Sequence, residues 1–196
     1  SATSACAGDE IVFSDLSTPA GSITQWAWDF NNDQNPDAVI QNPLYTFNTP
    51  GTYPVRLIVS WPPCLDDTTI NVTVFSNPTS TFTTVSPICQ GATSTITYTG
   101  DAPANAIYNW NFDGGTIVTG SGQGPYDVSW NTSGTKNVTL TVTTGSCSSL
   151  PTTVQVVVNS APPVTVSPDI GICTGQSTTL TANNATTYSW SPATGL

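Results

Sequence analysis

The chain has 196 residues, of which only 7% are charged and 37% are hydrophobic. With Arg56 and Lys136 as its only basic residues, no histidine and a net charge of −10, it is a poor candidate for nucleic-acid binding and for attraction to an anionic membrane. The lack of histidine excludes Ser-His-Asp and Cys-His catalysis and most zinc sites. No apolar run approaches the roughly 18–20 residues that span a bilayer. We therefore expect that the protein is not an enzyme and that this part of it does not insert into a membrane.

The composition favours strands over helices. Methionine is absent, Glu10 is the only glutamate, and threonine, valine and isoleucine are abundant. These β-branched residues suit strands, while 16 prolines and 15 glycines supply turns. The apolar share is too high, and the charge too low, for a disordered chain. The sequence therefore predicts an all-β fold.

A repeat organises the chain. It begins with a Cys-x-Gly motif at Cys6, Cys89 and Cys173, so the copies recur at nearly equal intervals. Each motif precedes a strand-like run, at residues 11–13, 95–98 and 178–181. This self-similarity predicts three copies of one structural unit.

The other landmarks keep their order inside each copy. An aromatic segment comes first, as Trp28-Asp29-Phe30, Trp110-Asn111-Phe112 and Trp190-Ser191-Pro192. A glycine follows at Gly51 and Gly134, and a second cysteine comes at the same distance after each glycine, at Cys64 and Cys147. Alternation of apolar and polar residues in these segments is typical of strands with one buried face. We expect Trp28 and Trp110 to be core residues.

Proline-bearing joints divide the copies. The boundaries predict domains over residues 1–76, 77–160 and 161–196. The third copy is less than half as long as the others, so we expect it to be incomplete and the natural chain to continue. Short strands in units of about 80 residues predict immunoglobulin-like sandwiches.

The first copy resembles a PKD (polycystic kidney disease) domain. Trp28-Asp29-Phe30 lies where that family has Trp-Asp-Phe-Gly-Asp-Gly, although Asn31-Asn32-Asp33 replaces the last three residues. Pro50-Gly51-Thr52-Tyr53 matches the family's Pro-Gly-Thr-Tyr. The second copy is similar to a more divergent PKD-like module, and the third resembles cysteine-bearing repeats of very long Bacteroidota surface proteins, several of them adhesins or gliding-associated proteins exported by the type IX pathway. The resemblance implies tandem PKD-type, immunoglobulin-like β-sandwiches at the cell surface.

The cysteines are expected to form structural disulfides, and two pairings stay open. Cys6–Cys64 and Cys89–Cys147 share a separation of 58 positions, which favours a bond inside each module. In an immunoglobulin-like topology, however, these cysteines lie at opposite ends of the sandwich, about 20 Å apart by strand length. Because disulfide Cα atoms lie within about 7 Å, a bond between neighbours, Cys6–Cys147, is the alternative. In either scheme Cys173 needs a partner outside this chain segment.

The acidic loop after the first aromatic strand has two interpretations. Oxygen-bearing side chains fall at alternate positions, as in a calcium loop: Asp29, Asn31, Asp33, Asn35 and Asp37. Gln34 and Ile40, however, stand where an EF-hand has glycine and a bidentate glutamate. The alternative is a polar turn without metal. No cofactor other than calcium is expected.

Two further features concern the surface. Asp67-Thr68-Thr69 resembles the O-glycosylation motif of Bacteroidota, which makes Thr68 a candidate acceptor. Trp61 lies in a predicted loop, where it would stack on a sugar or contact a neighbouring module.

Three functions fit these observations. The first is a stiff, extracellular stalk or fibre in a large adhesive surface protein, whose partners are the neighbouring repeats. The second is an accessory module of a secreted hydrolase that binds polysaccharide or acts as a spacer. The third is a filament subunit that contacts other copies of itself through exposed strand edges.

Overall fold

The computed structural model describes residues 3–18 and 21–191. These residues form seventeen β-strands and no helix, so the predicted all-β class of tandem immunoglobulin-like sandwiches is confirmed. Within the same residues there is accordingly no helix that could cross a membrane.

The first module is a sandwich of a four-stranded and a two-stranded sheet. Its strands are β1 (Ser4–Cys6), β2 (Glu10–Val12), β3 (Gln25–Asp29), β4 (Leu44–Thr46), β5 (Gly51–Trp61) and β6 (Cys64–Phe75). The larger sheet has the order β1-β6-β5-β3, and β2 pairs with β4 in the smaller one. The pairing of β1 with β6 is parallel, whereas β5 is antiparallel to both of its neighbours.

The second module repeats this plan with a more complete second sheet. Its strands are β7 (Phe82–Thr84), β8 (Ile88–Cys89), β9 (Thr93–Tyr98), β10 (Ile107–Asn111), β11 (Thr116–Thr119), β12 (Tyr126–Ser129), β13 (Gly134–Thr144), β14 (Cys147–Ser148) and β15 (Thr152–Asn159). One sheet has the order β10-β13-β15-β8, with β14 also on β13, and the other has the order β11-β12-β9-β7. Here β8 is parallel to β15, as β1 is to β6.

Each module has its own core. The alternation of the long strands buries one face of each sheet, and the two faces meet in the middle of the sandwich. The first core includes Phe13, Phe30 and Val55, and the second includes Val138 and Leu140. Burying each such side chain stabilises the fold by about 1.5–3 kcal/mol.

The tryptophan that fills the second core is Trp130, not Trp110. Trp28 is 3% exposed and Trp130 is 2% exposed, whereas Trp110 is only half-buried. Trp130 donates its indole N–H to the carbonyl of Phe112 at 2.9 Å, while Trp110 lies at the edge of the core with its ring 5.0 Å from that of Phe82. The prediction for Trp28 is confirmed. Trp110 packs against the second core only as a half-buried side chain, because the second sheet brings another tryptophan into the middle of the module.

The third copy contains one short pair of strands, β16 (Thr165–Val166) and β17 (Ala182–Asn183). Residues 178–181 form no strand, contrary to the prediction. At the end of this run, Thr181 accepts from the amide of Ser167 at 2.9 Å, which extends the β16–β17 pair by one bond without forming a further strand. Tyr188 and Trp190 remain exposed, and Pro192 of the third aromatic motif lies outside the described residues.

Candidate functional site: the junction between the first two modules

The Cys-x-Gly motif of the first module forms a fixed turn at the end of β1. Cys6 pairs with Phe75, the last residue of β6. The amide of Ala7 donates to the carbonyl of Phe75 at 2.9 Å, and the amide of Asp9 donates to the carbonyl of Cys6 at 3.0 Å. Gly8 has φ +89°, a conformation that glycine adopts without steric cost. The turn therefore holds Cys6 where the chain leaves the first module.

The matching cysteine of the second module lies on a tight hairpin. Thr144 of β13 pairs with Cys147 of β14, so only Gly145 and Ser146 lie between them. Gly145 has φ +62°, which suits a two-residue hairpin turn. This hairpin places Cys147 at the end of the second module that faces the first.

Cys6 and Cys147 form a disulfide between the two modules. The Cα–Cα distance is 5.5 Å, and the two residues are 141 positions apart in the sequence. Cys6 is 6% exposed and Cys147 is 2% exposed. The bond is therefore buried at the place where the modules meet.

Of the two pairings that the sequence left open, the structure has the bond between neighbours, and strand length explains why the alternative bonds inside each module, Cys6–Cys64 and Cys89–Cys147, are not formed. Cys6 lies beside the last residue of β6, and Cys64 is the first residue of that 12-residue strand. At about 3.3 Å per residue, the two cysteines are about 36 Å apart. Cys89 and Cys147 likewise lie at opposite ends of the second sandwich. Equal spacing in sequence reflects equivalent places in the repeat, not proximity.

A short joint accompanies the disulfide. The side-chain amide of Asn77 donates to the carbonyl of Ala7 at 2.8 Å, so the joint is bonded to the Cys-x-Gly turn. Pro78 follows, and the amide of Thr79 already donates to Asp101 of the second module at 2.8 Å. The link between modules thus consists of Asn77 and Pro78, and hydrogen bonds fix it to the module on each side.

Three cysteines are free thiols in the described part of the chain. Cys64, Cys89 and Cys173 are all exposed. Cys64 is the hairpin cysteine of the first module, because it pairs with Trp61 across a two-residue turn. Trp61 therefore belongs to β5 and is half-buried, rather than lying in the loop that the sequence suggested.

The acidic loop is built from hydrogen bonds between carboxylates and backbone amides. Asp29 accepts from the amides of Asp33 and Gln34 at 3.3 and 2.9 Å. Asp37 accepts from the amide of Phe30 at 2.7 Å, and Asp33 accepts from the amide of Asn35 at 2.8 Å. Asn31 similarly accepts from the amide of Asp33.

Within residues 3–18 and 21–191, no three acidic or cysteine side chains are grouped so that they could hold a metal ion. Calcium binding by the loop stays a prediction, and an ion there would compete with these amides for the same oxygens.

Other polar groups support the fold. Burial by itself would raise the pKa of Asp15, but hydrogen bonds from Ser17, Trp26 and Gln41 outweigh it and lower that pKa. The backbone amide and hydroxyl of Thr79 lower the pKa of Asp101. Each of these carboxylates joins separate segments of the chain, which is a structural task.

Thr68 is exposed on β6, next to Asp67, which forms an ion pair with Arg56 at 2.9 Å. Modification of Thr68 stays a prediction. Thr68 also lines an open cleft of about 500 Å³ in the first module, together with Trp61 and Asp66.

Comparison with known proteins identifies the fold of the modules. Residues 1–74 match the family model of the PKD domain, so the chain contains a PKD/immunoglobulin-like domain. The N-terminal eight Ig domains of Down syndrome cell adhesion molecule are similar in structure, at 13% identity and a TM-score of 0.52, over 83% of this chain and 24% of that one. This chain thus spans about a quarter of that structure, and the likeness shows an immunoglobulin-like fold alone.

Two further structures are more distant. Fibronectin(III)-like modules of Clostridium thermocellum CbhA are 15% identical, with a TM-score of 0.38 over 81% of this chain and 90% of that one. An I-band fragment of titin is 13% identical, with a TM-score of 0.38 over 82% of this chain and 64% of that one. No curated protein sequence matches the chain.

Proposed function

We propose that this chain is a stretch of non-catalytic, extracellular repeats that forms a stiff stalk or fibre in a larger adhesive surface protein. The observation that carries the proposal is the Cys6–Cys147 disulfide between neighbouring modules. A covalent bond at the junction fixes the spacing of the modules and prevents their separation. A structure that bears load along its axis needs both properties.

The position of the bond changes how the chain responds to tension. Force that enters through the residues before Cys6 crosses the disulfide and leaves through the residues after Cys147. The two cysteines are 141 positions apart, and the chain between them lies in a closed loop outside this route. At about 3.6 Å per extended residue, the bond keeps about 500 Å of chain from being drawn out.

The joint adds stiffness to this covalent link. Only Asn77 and Pro78 lie between the ordered parts of the two modules, and the Asn77 side chain is bonded to Ala7. Proline has a fixed φ angle and makes a linker less flexible. We therefore expect the axis of the two modules to resist bending.

The disulfide also supports an extracellular location. Disulfides persist in oxidising compartments and are rare where thiols are kept reduced. A buried bond between two modules is a structural element rather than a transient redox site. The neighbouring repeats of the same protein are the partners that this proposal requires.

Force spectroscopy on the oxidised chain tests the proposal. Pulled through tags that contain no cysteine, the oxidised chain should give no extension that corresponds to unfolding of the first module. The Cys6→Ser/Cys147→Ser variant should release about 250 Å from each of the first two modules. Steps of that size in the oxidised chain would refute the load-bearing role of the junction.

A second candidate is an accessory module that binds polysaccharide, and the cleft in the first module favours it. Trp61 and Asp66 line this cleft, and an aromatic side chain beside a carboxylate is a common way to hold a sugar ring. Binding to acidic or neutral polysaccharides that is lost in Trp61→Ala, but kept in Trp190→Ala, would support this candidate. Equal retention of both variants on a polysaccharide gel would exclude the cleft as the binding site for polysaccharide.

A further inference from the structure

The backbone around Cys89 in the second module repeats that around Cys6 in the first. Cys89 pairs in parallel with Asn159 at the end of the last strand, as Cys6 does with Phe75. The amide of Gln90 donates to the carbonyl of Asn159 at 2.8 Å, and the amide of Ala92 donates to the carbonyl of Cys89 at 3.0 Å. These bonds reproduce those of the first Cys-x-Gly turn.

The glycines of the two turns match as well. Gly8 has φ +89° and donates to the carbonyl of Phe47 at 2.9 Å, and Gly91 has φ +80° and donates to the carbonyl of Trp130 at 2.9 Å. The backbone of the second turn is therefore already shaped to present its cysteine as the first turn presents Cys6.

Cys64 has the same place in the first module as Cys147 has in the second. Each is the residue after a two-residue turn, and each pairs with the last residue of the preceding strand, Trp61 or Thr144. Each also comes at the same distance after the glycine that begins this strand. The turn residues differ, since Pro62 and Pro63 replace Gly145 and Ser146, but the register of the cysteine does not.

The observed disulfide joins one cysteine of each kind. We propose that Cys89 and Cys64 each form an inter-module disulfide of the same kind as Cys6–Cys147, each with a cysteine of a different module. Cys89 would bond to the hairpin cysteine of another immunoglobulin-like module, and Cys64 to the Cys-x-Gly cysteine of another. This inference rests on the proposed function, since it requires further modules of the same kind.

The path of the chain indicates which module meets Cys89. The first module ends at Phe75, beside Cys6, and the module that follows provides Cys147. The second module ends at Asn159, beside Cys89, so the module formed by later residues emerges at that cysteine. The third Cys-x-Gly turn has the same internal bond, from the amide of Gln176 to the carbonyl of Cys173 at 3.0 Å.

Formation of each bond is a two-electron oxidation. Two thiols lose two protons and two electrons, which pass to the disulfide of a thiol oxidoreductase in the exporting compartment and convert that disulfide to a dithiol. The exchange proceeds through a mixed disulfide, when the thiolate of the second cysteine attacks the sulfur of the first and releases the oxidoreductase. Cys64 and Cys89 are exposed, as this attack requires.

The proposed bonds would convert a row of modules into a covalent ladder. The disulfides overlap along the sequence, because Cys89 lies within the loop that Cys6 and Cys147 close. Force would cross from one disulfide to the next through a short segment of chain, from Cys147 to Cys173 or from Cys64 to Cys89. Every module would be protected from unfolding in the way that the first pair is.

Peptide mapping of the whole secreted protein tests the proposal. Free thiols are first blocked with N-ethylmaleimide, and the protein is then digested without reduction, using chymotrypsin because the segment has only two basic residues. The expected result is a Cys89 peptide linked to a peptide with a hairpin cysteine, and a Cys64 peptide linked to one with a Cys-x-Gly motif. Blocked Cys64 or Cys89, or a bond between two cysteines of the same kind, would overturn it.

Two further measurements distinguish the sources of the partner cysteine. A non-reducing gel shows the mass of a single chain if the bonds join modules of one chain, and larger species if they join copies. In the whole protein, Cys89→Ser should expose one additional thiol to N-ethylmaleimide, because the partner cysteine loses its bond, whereas the control Thr93→Ser should expose none. If Cys89 is instead a free thiol, the count in Cys89→Ser falls by one, and that result would contradict the bond. If the protein proves to contain a catalytic domain, the stalk proposal fails. The peptide map still decides which cysteines Cys64 and Cys89 bond to.

Discussion

Removal of the disulfide should lower the stability of the first module far more than removal of a typical surface contact. The Cys6→Ser/Cys147→Ser variant abolishes the bond without leaving a buried thiol unpaired. In the wild-type protein, an unfolded first module remains closed into a loop, because Cys6 is held by the folded second module. Without the disulfide the unfolded chain gains conformational freedom, and the free energy of unfolding falls.

The size of the effect follows from the length of this loop. From Cys6 to the joint at Asn77 there are 71 positions, and a loop of this length corresponds to about 4 kcal/mol in the chain-entropy treatment. If both modules unfolded together, the loop would contain 141 positions, and the value would rise only to about 5 kcal/mol. Since the free energy of unfolding of a small domain is about 5–15 kcal/mol, either loss is a large share of the total stability.

Differential scanning calorimetry measures this loss directly. A change of 1 kcal/mol shifts the melting temperature of a domain of this size by about 4–8 °C, so we expect the first transition to fall by about 15 °C or more. Ser146→Ala serves as a control, because Ser146 is exposed in the same hairpin and forms no disulfide. Equal melting temperatures for the double variant and the control would refute the argument that the bond restrains the unfolded chain.

The remaining predictions concern the core, the pH dependence and the acidic loop. Trp130→Ala should destabilise the second module by about 3–5 kcal/mol in urea unfolding, and Trp110→Ala by clearly less, because only Trp130 is fully buried; similar losses would contradict the packing. The folded-state pKa of Asp101 is lowered by Thr79. The ionised Asp101 therefore contributes to the free energy of unfolding above about pH 4, and this contribution is lost as the pH falls further. Wild type and Asp101→Asn should therefore differ in melting temperature at pH 7 and converge in acid, and a constant difference would exclude this titration. If hydrogen bonds alone hold the Asp29 loop, calcium added to a chelated sample leaves the melting temperature unchanged, whereas a rise would support the calcium interpretation.

The sequence predicts the architecture well where the pattern is local and repeated. Alternation in β5 and β13 indicates their buried faces, and these faces place Val55, Leu57, Val138 and Leu140 in the cores. Trp130 could have been found by the same rule, since Tyr126, Val128 and Trp130 alternate in one run. It was missed because the aromatic segment around Trp110 matched the repeat more clearly. Periodicity shows which face of a strand is apolar, but the depth of burial depends on what the opposite sheet provides.

The pairing of cysteines could not be read from sequence spacing, because spacing does not show the direction of the module axis. The repeat places Cys6 and Cys89 at one end of their modules, and it places Cys64 and Cys147 at the other. A strand of 11 or 12 residues separates these ends by about 36 Å, several times the reach of a disulfide. Since cysteines of opposite kind come together only where one module follows another, the same spacing that suggested a bond inside each module in fact supports a bond between modules. The ends of the modules are thus complementary by construction, and a chain of such units can be joined covalently at each junction without any change in the fold of its members.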